Sequence, residues 1–423
     1  MFDCLRHLAE KHAPREREGV SLVIMRSIFP AILAATLTMT SAAHADFASG
    51  TIKIGVLTDL SGPYEGNGGH GSVAAAQIAA DEFGNNIDGA KIEIVSADHQ
   101  NKPDVGASIA SRWFDVDHVD TIADLINSAV AFAVLNVAKE RGKLLLMTSA
   151  GSADFTGKSC APDNLVQWVY DTYAAGSAAG EAMPHLGKTW FFITADYVYG
   201  KGVQSGTTRA IEAHGGKVLG SVLHPIGTSD FSSYVLQAQA SGAEVIALAN
   251  GGQDTMNTIK AAREFGVKAK LFPGFDLTQI KAMGLANSQG LLYVGFWDPN
   301  LNDRAHAFFQ KFVAKTGKPV ADFQVGTYSV VRSYLLAAKA THSTDPKTIL
   351  AQLRKMKIND AFTANGHLRP DGRMVHDVYL LQVKSPAESH GPYDWTKVVA
   401  TLPGDKVFRG IDAPGGCPSL AKK

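Results

Sequence analysis

The sequence predicts an α/β fold: two similar lobes, each built on a parallel sheet with helices on both faces. Two observations carry that expectation. Short apolar runs alternate with helix-patterned stretches along most of the chain, with brief connections between them. The alternation then restarts near residue 167, and the second block repeats the build of the first. Length agrees, because 423 residues exceed what one ordinary hydrophobic core organises.

The elements follow in order. Residues 52–57 read as an apolar strand, followed by a glycine-rich loop and a helix over 72–83. A strand at 91–97 leads to a helix at 104–114, and a short strand at 120–124 leads to a helix at 129–141. Residues 143–147 (KLLLM) form the next strand. After a connecting stretch at 166–173, a helix at 177–185 precedes the strongly apolar strand 188–194 (KTWFFIT). The helix at 202–214 is closed by Gly215-Gly216, a helix-stop pair. Strands at 217–223, 244–248 and 270–272 alternate with helices at 231–240 and 253–265. The later chain departs from this pattern. It predicts a strand at 291–297, helices at 304–315, 324–340 and 346–355, and one antiparallel strand over 373–383 after the turn Pro370-Asp371-Gly372. One terminal block cannot finish two sheets unless the chain crosses between the lobes more than once.

The start of the chain sets the compartment. Met25-Arg26 is a short basic start, residues 27–40 are mostly apolar but too short to span a bilayer comfortably, and Ala43-His44-Ala45 supplies small residues at a cleavage site. Residues 25–45 are therefore expected to be a cleaved export signal, and residues 1–24 a mis-assigned extension. The 40 basic and 40 acidic residues cancel, which argues against a nucleic-acid partner. Of the three cysteines, Cys160 and Cys417 remain after cleavage. An even pair in an exported protein is a plausible disulfide.

Catalytic and cofactor motifs fail on spacing. Gly66-x-Gly68-x-x-Gly71 spells a dinucleotide fingerprint, but eight residues separate it from the strand that should lead straight into it. Gly157-Lys158-Ser159 lacks the upstream glycine of a phosphate loop. There is no Gly-x-Ser-x-Gly elbow, and the histidines lack metal-ligand spacing. No cofactor or metal is expected, and no motif argues for an enzyme; a secreted hydrolase, whose triad need not be contiguous, is disfavoured by the missing nucleophile motif. Asn127-Ser128 and Ala150-Gly151-Ser152 each follow a strand end, where open α/β sheets bind ligands. Their hydroxyl, amide and backbone donors suit a carboxylate; they equally suit ordinary helix capping.

An ordered set of landmarks resembles the leucine/isoleucine/valine type of periplasmic substrate-binding protein of ABC transporters. It comprises Ile52-Lys53-Ile54-Gly55 running into Leu60-Ser61-Gly62-Pro63, then residues 144–152 (LLLMTSAGS), Tyr197-Val198-Tyr199-Gly200, Asp230-Phe231-Ser232, and Asn365-Gly366 with Asp371-Gly372-Arg373. The resemblance implies two Rossmann-like lobes of the type I periplasmic binding protein fold, joined by three hinge crossings. Lobe 1 would comprise 46–167 plus 298–345, and lobe 2 would comprise 168–297 plus 346–423. It further implies a non-enzymatic periplasmic receptor that closes over a small carboxylate, such as a branched-chain amino acid, and docks on a membrane permease driven by an ATPase. An aromatic-acid or amide receptor, or a ligand sensor for a signalling partner, is the alternative. By position, Asn127, Ala150, Gly151 and Ser152 would hold the carboxylate, Tyr199 would close from lobe 2, and Asp276 would meet an α-ammonium. Tyr64, Asn67, Trp168 and Phe275 are further cleft candidates. Two positions depart from the family pattern: Asn127 stands where Ser or Thr is usual, and Gly251 falls where a tyrosine is expected.

Overall fold

The computed structural model describes Phe47 and residues 50–420. The expected export signal and the extension before it lie outside the described residues.

Two parallel sheets organise the chain. The first contains β1 (Thr51–Thr58), β2 (Asn86–Ile87), β3 (Ala90–Asp98), β4 (Thr121–Asp124), β5 (Leu144–Met147) and β6 (Leu165–Gln167), in the order β2-β3-β1-β4-β5-β6. All its pairings are parallel except the β2–β3 hairpin. The helices α1 (Gly69–Asp81), α2 (Pro103–Asp115) and α3 (Ser128–Glu140) connect these strands. β1 and β4 are buried nearly throughout, as strands covered on both faces must be.

The second sheet contains β7 (Thr189–Ala195), β8 (Lys217–His224), β9 (Val245–Ala249) and β10 (Lys270–Pro273), in the order β10-β9-β7-β8. Its helices are α4 (Thr172–Leu186), α5 (Val198–Ala213), α6 (Ser232–Ala240), α7 (Gly252–Glu264), α8 (Leu277–Met283) and the short α9 (Leu285–Ser288). A bridge from Gly274 to Val294 extends this sheet through β11 (Leu292–Gly295). The later strands β15 (Val378–Val383) and β16 (Thr396–Leu402) add to β11 antiparallel.

The expected single strand over 373–383 is broken in two. β12 (Lys357–Ile358), β13 (Gly366–Leu368) and β14 (Met374–Val375) form a small separate sheet, and Arg373 bridges to Gln167 at the edge of the first large sheet. The chain then turns at His376-Asp377 and enters the second sheet as β15. One strand cannot pair with both sheets. The chain passes between them at residues 168–171, 296–302 and 376–377. Between the second and third passages lie α10 (Asp303–Thr316), α11 (Asp322–Thr341) and α12 (Pro346–Leu353). α10 and α11 pack on α1, and α12 packs on α11. Arg354 also donates to the Pro162 carbonyl, so residues 346–375 lie with the first sheet.

Cys160 and Cys417 are joined, with their Cα atoms 5.5 Å apart, across 257 residues of sequence. Arg369 reinforces the returning tail by donating to the Arg409 carbonyl. Closing so long a loop restricts the unfolded chain. Replacing both cysteines by serine is therefore expected to cost about 2–4 kcal/mol, read from urea unfolding of the oxidised protein and the variant.

Candidate functional site

The glycine loop after β1 is shaped by carboxylate and amide side chains. Asp59 accepts from the backbone N–H groups of Gly62 and Tyr64 and from Asn101 Nδ2. Gln324 on α11 donates to the Gly66 and Gly68 carbonyls, and a Cβ on Gly71 would collide with that side chain. Gly69 adopts φ +52 and gives its N–H to Thr58 Oγ1. The loop is thus locked to its own lobe and presents Tyr64 and Asn67 outward.

Those two side chains meet the second lobe. Tyr64 OH lies 3.0 Å from Tyr197 OH, Gln253 N donates to the Pro63 carbonyl at 3.1 Å, and Asn67 Nδ2 donates to Asp276. The cleft between the two sheets is closed along this line. Behind it lies a cavity of about 100 Å³. A single water needs roughly 10–15 Å³ on the same scale, so the space takes a solute on the order of ten heavy atoms.

Aromatic rings dominate the cavity wall: Tyr64, Tyr170, Tyr197, Tyr199, Phe296 and Phe323. Tyr170 is their hub, with ring centres 4.9 Å from Phe323, 5.3 Å from Phe296 and 6.2 Å from Tyr199. Burial pushes the Tyr199 phenol up to about 12, and raises those of Tyr64, Tyr170 and Tyr197 as well. All four are neutral hydroxyls at physiological pH.

Two acidic side chains, Asp276 and Asp322, line the same space, and among the described residues no Lys, Arg or His does. Asp276 caps α8: its Oδ1 accepts from Thr278 N at 2.7 Å and from Gln279 N at 3.2 Å. Asp322 accepts from Phe296 N at 2.6 Å. Burial raises the Asp276 carboxyl. Burial also raises Asp322 well above the usual carboxylate range, with Asp276 and Asp298 adding repulsion.

At the outer mouth, on the first turn of α7, Asp254 accepts from Gly227 N at 3.0 Å. Its other oxygen has no partner among the described residues. Burial pushes its carboxyl up to about 6. A carboxyl whose folded pKa exceeds the unfolded value contributes full stability below about pH 3.8. That contribution is lost as pH rises through about 6. Asp254→Asn keeps the acceptor for Gly227 and cannot ionise. The variant is expected to gain about 1 kcal/mol over the native protein at pH 7.5, allowing for solvent screening, and nothing at pH 3.5. Urea unfolding of both proteins at the two pH values checks this.

Tyr64, Asn67, Tyr199, Phe275 and Asp276, all named from sequence, come together around the cavity. The other named residues do not line it. Asn127 is the N-cap of α3, its Oδ1 accepting from Ala129 N and Val130 N. Ser152 caps the following 3-10 turn, and its own N–H goes to Ser128 Oγ. Ala150 is buried, its carbonyl accepting from Gln167 Nε2. Gly151 is covered by the Tyr170 phenol, where any Cβ would collide. Trp168 is wholly buried and donates to Ser329 Oγ. At Asn127 and Ser152 the capping reading of a polar residue after a strand describes the side chain.

Sequence reasoning did not select Tyr170, Tyr197, Ser149, Gly252 or Asp322. Tyr197 sits two residues before Tyr199 in Tyr197-Val198-Tyr199-Gly200. Asp322 had no local signal, because it enters from a helix almost fifty residues beyond Asp276.

Comparison with known proteins agrees with the two-sheet fold. A family model described as periplasmic binding protein matches residues 51–390. The Leu/Ile/Val-binding protein homolog 3 of Brucella melitensis biotype 1 is 26% identical over 330 residues, covering 75% of this chain and 86% of that protein. Among solved structures, a periplasmic binding protein from Burkholderia mallei is 42% identical with a TM-score of 0.82, covering 85% of this chain and 97% of its own. A branched chain amino acid ABC transporter periplasmic ligand-binding protein from Burkholderia xenovorans LB400 is 38% identical with a TM-score of 0.77, covering 87% and 99%. With a family model spanning most of its length and a two-sheet cleft closed over a small cavity, the chain belongs to the periplasmic binding protein family.

Proposed function

We propose that this protein is the periplasmic receptor of an ABC importer. It captures a small amino-acid-type solute between its lobes and delivers it to a membrane permease driven by an ATPase. It performs no catalysis. One observation carries the choice of solute: two buried acids line the cavity with no Lys, Arg or His among the described residues beside them, and a ligand ammonium is the counter-charge that would let them ionise. Asp276, Tyr64, Asn67, Tyr199 and Phe275 are the binding residues of this reading, to which Tyr170, Tyr197 and Asp322 are added. Lobe 1 would hold residues 50–167 and 298–375, and lobe 2 residues 168–297 and 376–420. Residues 346–375 go with lobe 1 and not with lobe 2 as expected, because Arg373 bridges to Gln167 and Arg354 donates to the Pro162 carbonyl. Cys417 ties the tail back to lobe 1. Export through a signal at residues 25–45 accounts for the compartment, and among the described residues no helix is long and apolar enough to cross a membrane.

The ring lining of the cavity also suits a solute that carries an aromatic ring, in place of a branched aliphatic one. A thermal-shift screen against amino acids, aromatic acids and amides tests both. A true ligand at about 100 times its dissociation constant stabilises the folded state by roughly 2.7 kcal/mol. A flat response to every class would refute the receptor reading.

A further inference from the structure

The cavity does not stop at the contact between the lobes. It continues into the second lobe behind Tyr199, where Ala175 of α4, Val203 and Thr207 of α5, Ala247 of β9 and Phe272 of β10 line it. Tyr199, Val203 and Thr207 stand at i, i+4 and i+8, so they form one stripe about 12 Å long on α5. The helix lies across the second sheet, with Gln204 Oε1 accepting from Thr194 Oγ1 of β7 at 2.7 Å.

The sheet supplies a trough beneath that stripe. Ala247 is in register with Phe192 of β7 on one side and with Phe272 of β10 on the other. Residues in register on neighbouring strands point to the same face, so the short Ala247 side chain leaves a groove between two rings. Trp190 backs Phe272 edge-on, with ring centres 5.5 Å apart. The helices supply the roof. α4 and α5 approach so closely that a Cβ on Gly176 would collide with the Gly206 backbone, which places Ala175 beside Thr207. Ala175, Tyr199 and Val203 pack against the core, line the cavity and are only partly buried, so the space beside them is open. Thr207, at the inner end, is the single polar side chain of this arm among the described residues. The whole cavity measures about 100 Å³. Spread over an arm of that length, it is a slot one chain wide and not a chamber.

We infer that this arm is a tail subsite inside the second lobe, and that the cavity selects a solute with an unbranched alkyl chain. The polar head stays between the lobes. The chain runs along α5 from Tyr199 past Val203 towards Thr207, over Ala247. A branch on the carbon that enters past Tyr199 needs width that the slot lacks. The inference rests on the reading of this cavity as the solute site.

Isothermal titration of the mature protein with two chain-length series tests it. One is alanine, norvaline, norleucine and 2-aminooctanoate, with isoleucine as the branched isomer of norleucine. The other is propanoate, pentanoate, hexanoate and octanoate, with 3-methylpentanoate as the branched isomer of hexanoate. In at least one series affinity is expected to rise by about 4-fold per added methylene as far as norleucine or hexanoate. The branched isomer is expected to bind at least about 10-fold more weakly than the straight one. Ala247→Val adds bulk between the two rings and is expected to narrow the norleucine-to-alanine or hexanoate-to-propanoate ratio by at least about 10-fold. Val203→Ala widens the slot and is expected to bring the branched isomer within about 3-fold of the straight one. The second variant only removes atoms, so it keeps the test alive should Ala247→Val fail to fold. Affinity that is flat or falls with chain length in both series overturns the inference, as does a branched isomer that binds as tightly as its straight counterpart. Unchanged ratios in both variants overturn it too, because the chain then lies elsewhere. If none of these probes binds while another solute in the thermal-shift screen does, the tail subsite fails and the receptor reading stands. If nothing binds in either experiment, both fail.

Discussion

Gly252→Val is expected to weaken solute binding by at least about 100-fold while leaving both lobes folded. Gly252 opens α7 on the second lobe with φ +58, a backbone region that β-branched residues avoid. A Cβ there would collide with the Pro63 carbonyl and come within 3.0 Å of the Tyr64 ring, both on the first lobe. The clash therefore falls on the contact that closes the cleft. The neighbouring Gln253 N–H to Pro63 bond would be lost with it. Titration calorimetry with the ligand found by screening gives the affinity. Small-angle scattering should show a protein that no longer contracts on addition of that ligand. Gly266→Ala separates the two causes, because Gly266 has φ +64 with nothing near its Cβ position. That variant is expected to lose stability by about 1 kcal/mol and to bind normally. Normal affinity and contraction in Gly252→Val would show that closure does not pass through this contact.

Arg373→Ala is expected to cost about 3–5 kcal/mol of stability, the largest effect of any single substitution considered for this protein. Arg373 is fully buried where the first and third passages between the sheets run side by side. Its Nη1 donates to the Tyr170 carbonyl at 2.9 Å and its Nε to the Met374 carbonyl at 2.9 Å. Asp171 lies 3.5 Å away, and the guanidinium stacks over the Phe408 ring. Burial lowers its pKa to about 10, so it remains charged at neutral pH. Truncation leaves Asp171 buried without its counter-charge and two carbonyls without donors. Lysine should not restore stability, because a single ammonium cannot reproduce the planar fork. Chemical unfolding of the three proteins measures this; a loss below about 1 kcal/mol would mean that the passage is held by other contacts, such as His376 against the Val169 carbonyl.

The parts of the molecule legible in the sequence share a physical character: their information is local. The strand at 52–57 is apolar because both faces of its sheet are covered, and it extends by only one residue at each end, to Thr51–Thr58. The helix expected from residue 72 starts at Gly69 because glycine tolerates the left-handed turn that admits the chain. The segment at 373–383 misled because its composition is uniformly strand-like. Only the change of pairing partner at His376-Asp377 divides it.

The site shows the same division. Polar residues after strand ends, such as Asn127 and Ser152, can hold ligands, but the same side chains satisfy backbone N–H groups of the helical turns they open. Sequence does not say which way they turn. Tyr64, Asn67 and Tyr199 were named from position in a family pattern, and they do line the cavity.

The sequence by itself determined the α/β alternation, the doubling of the unit and the membership in a solute-binding family, since periodic burial and ordered landmarks are written along the chain. Tertiary structure alone decided the chemistry of the cavity. Tyr170 over Gly151, Asn67 against Asp276, and Asp322 beside neither in sequence are contacts between distant segments. Whether a polar atom faces a ligand or a neighbour is set by what the fold brings against it, and no local pattern records that.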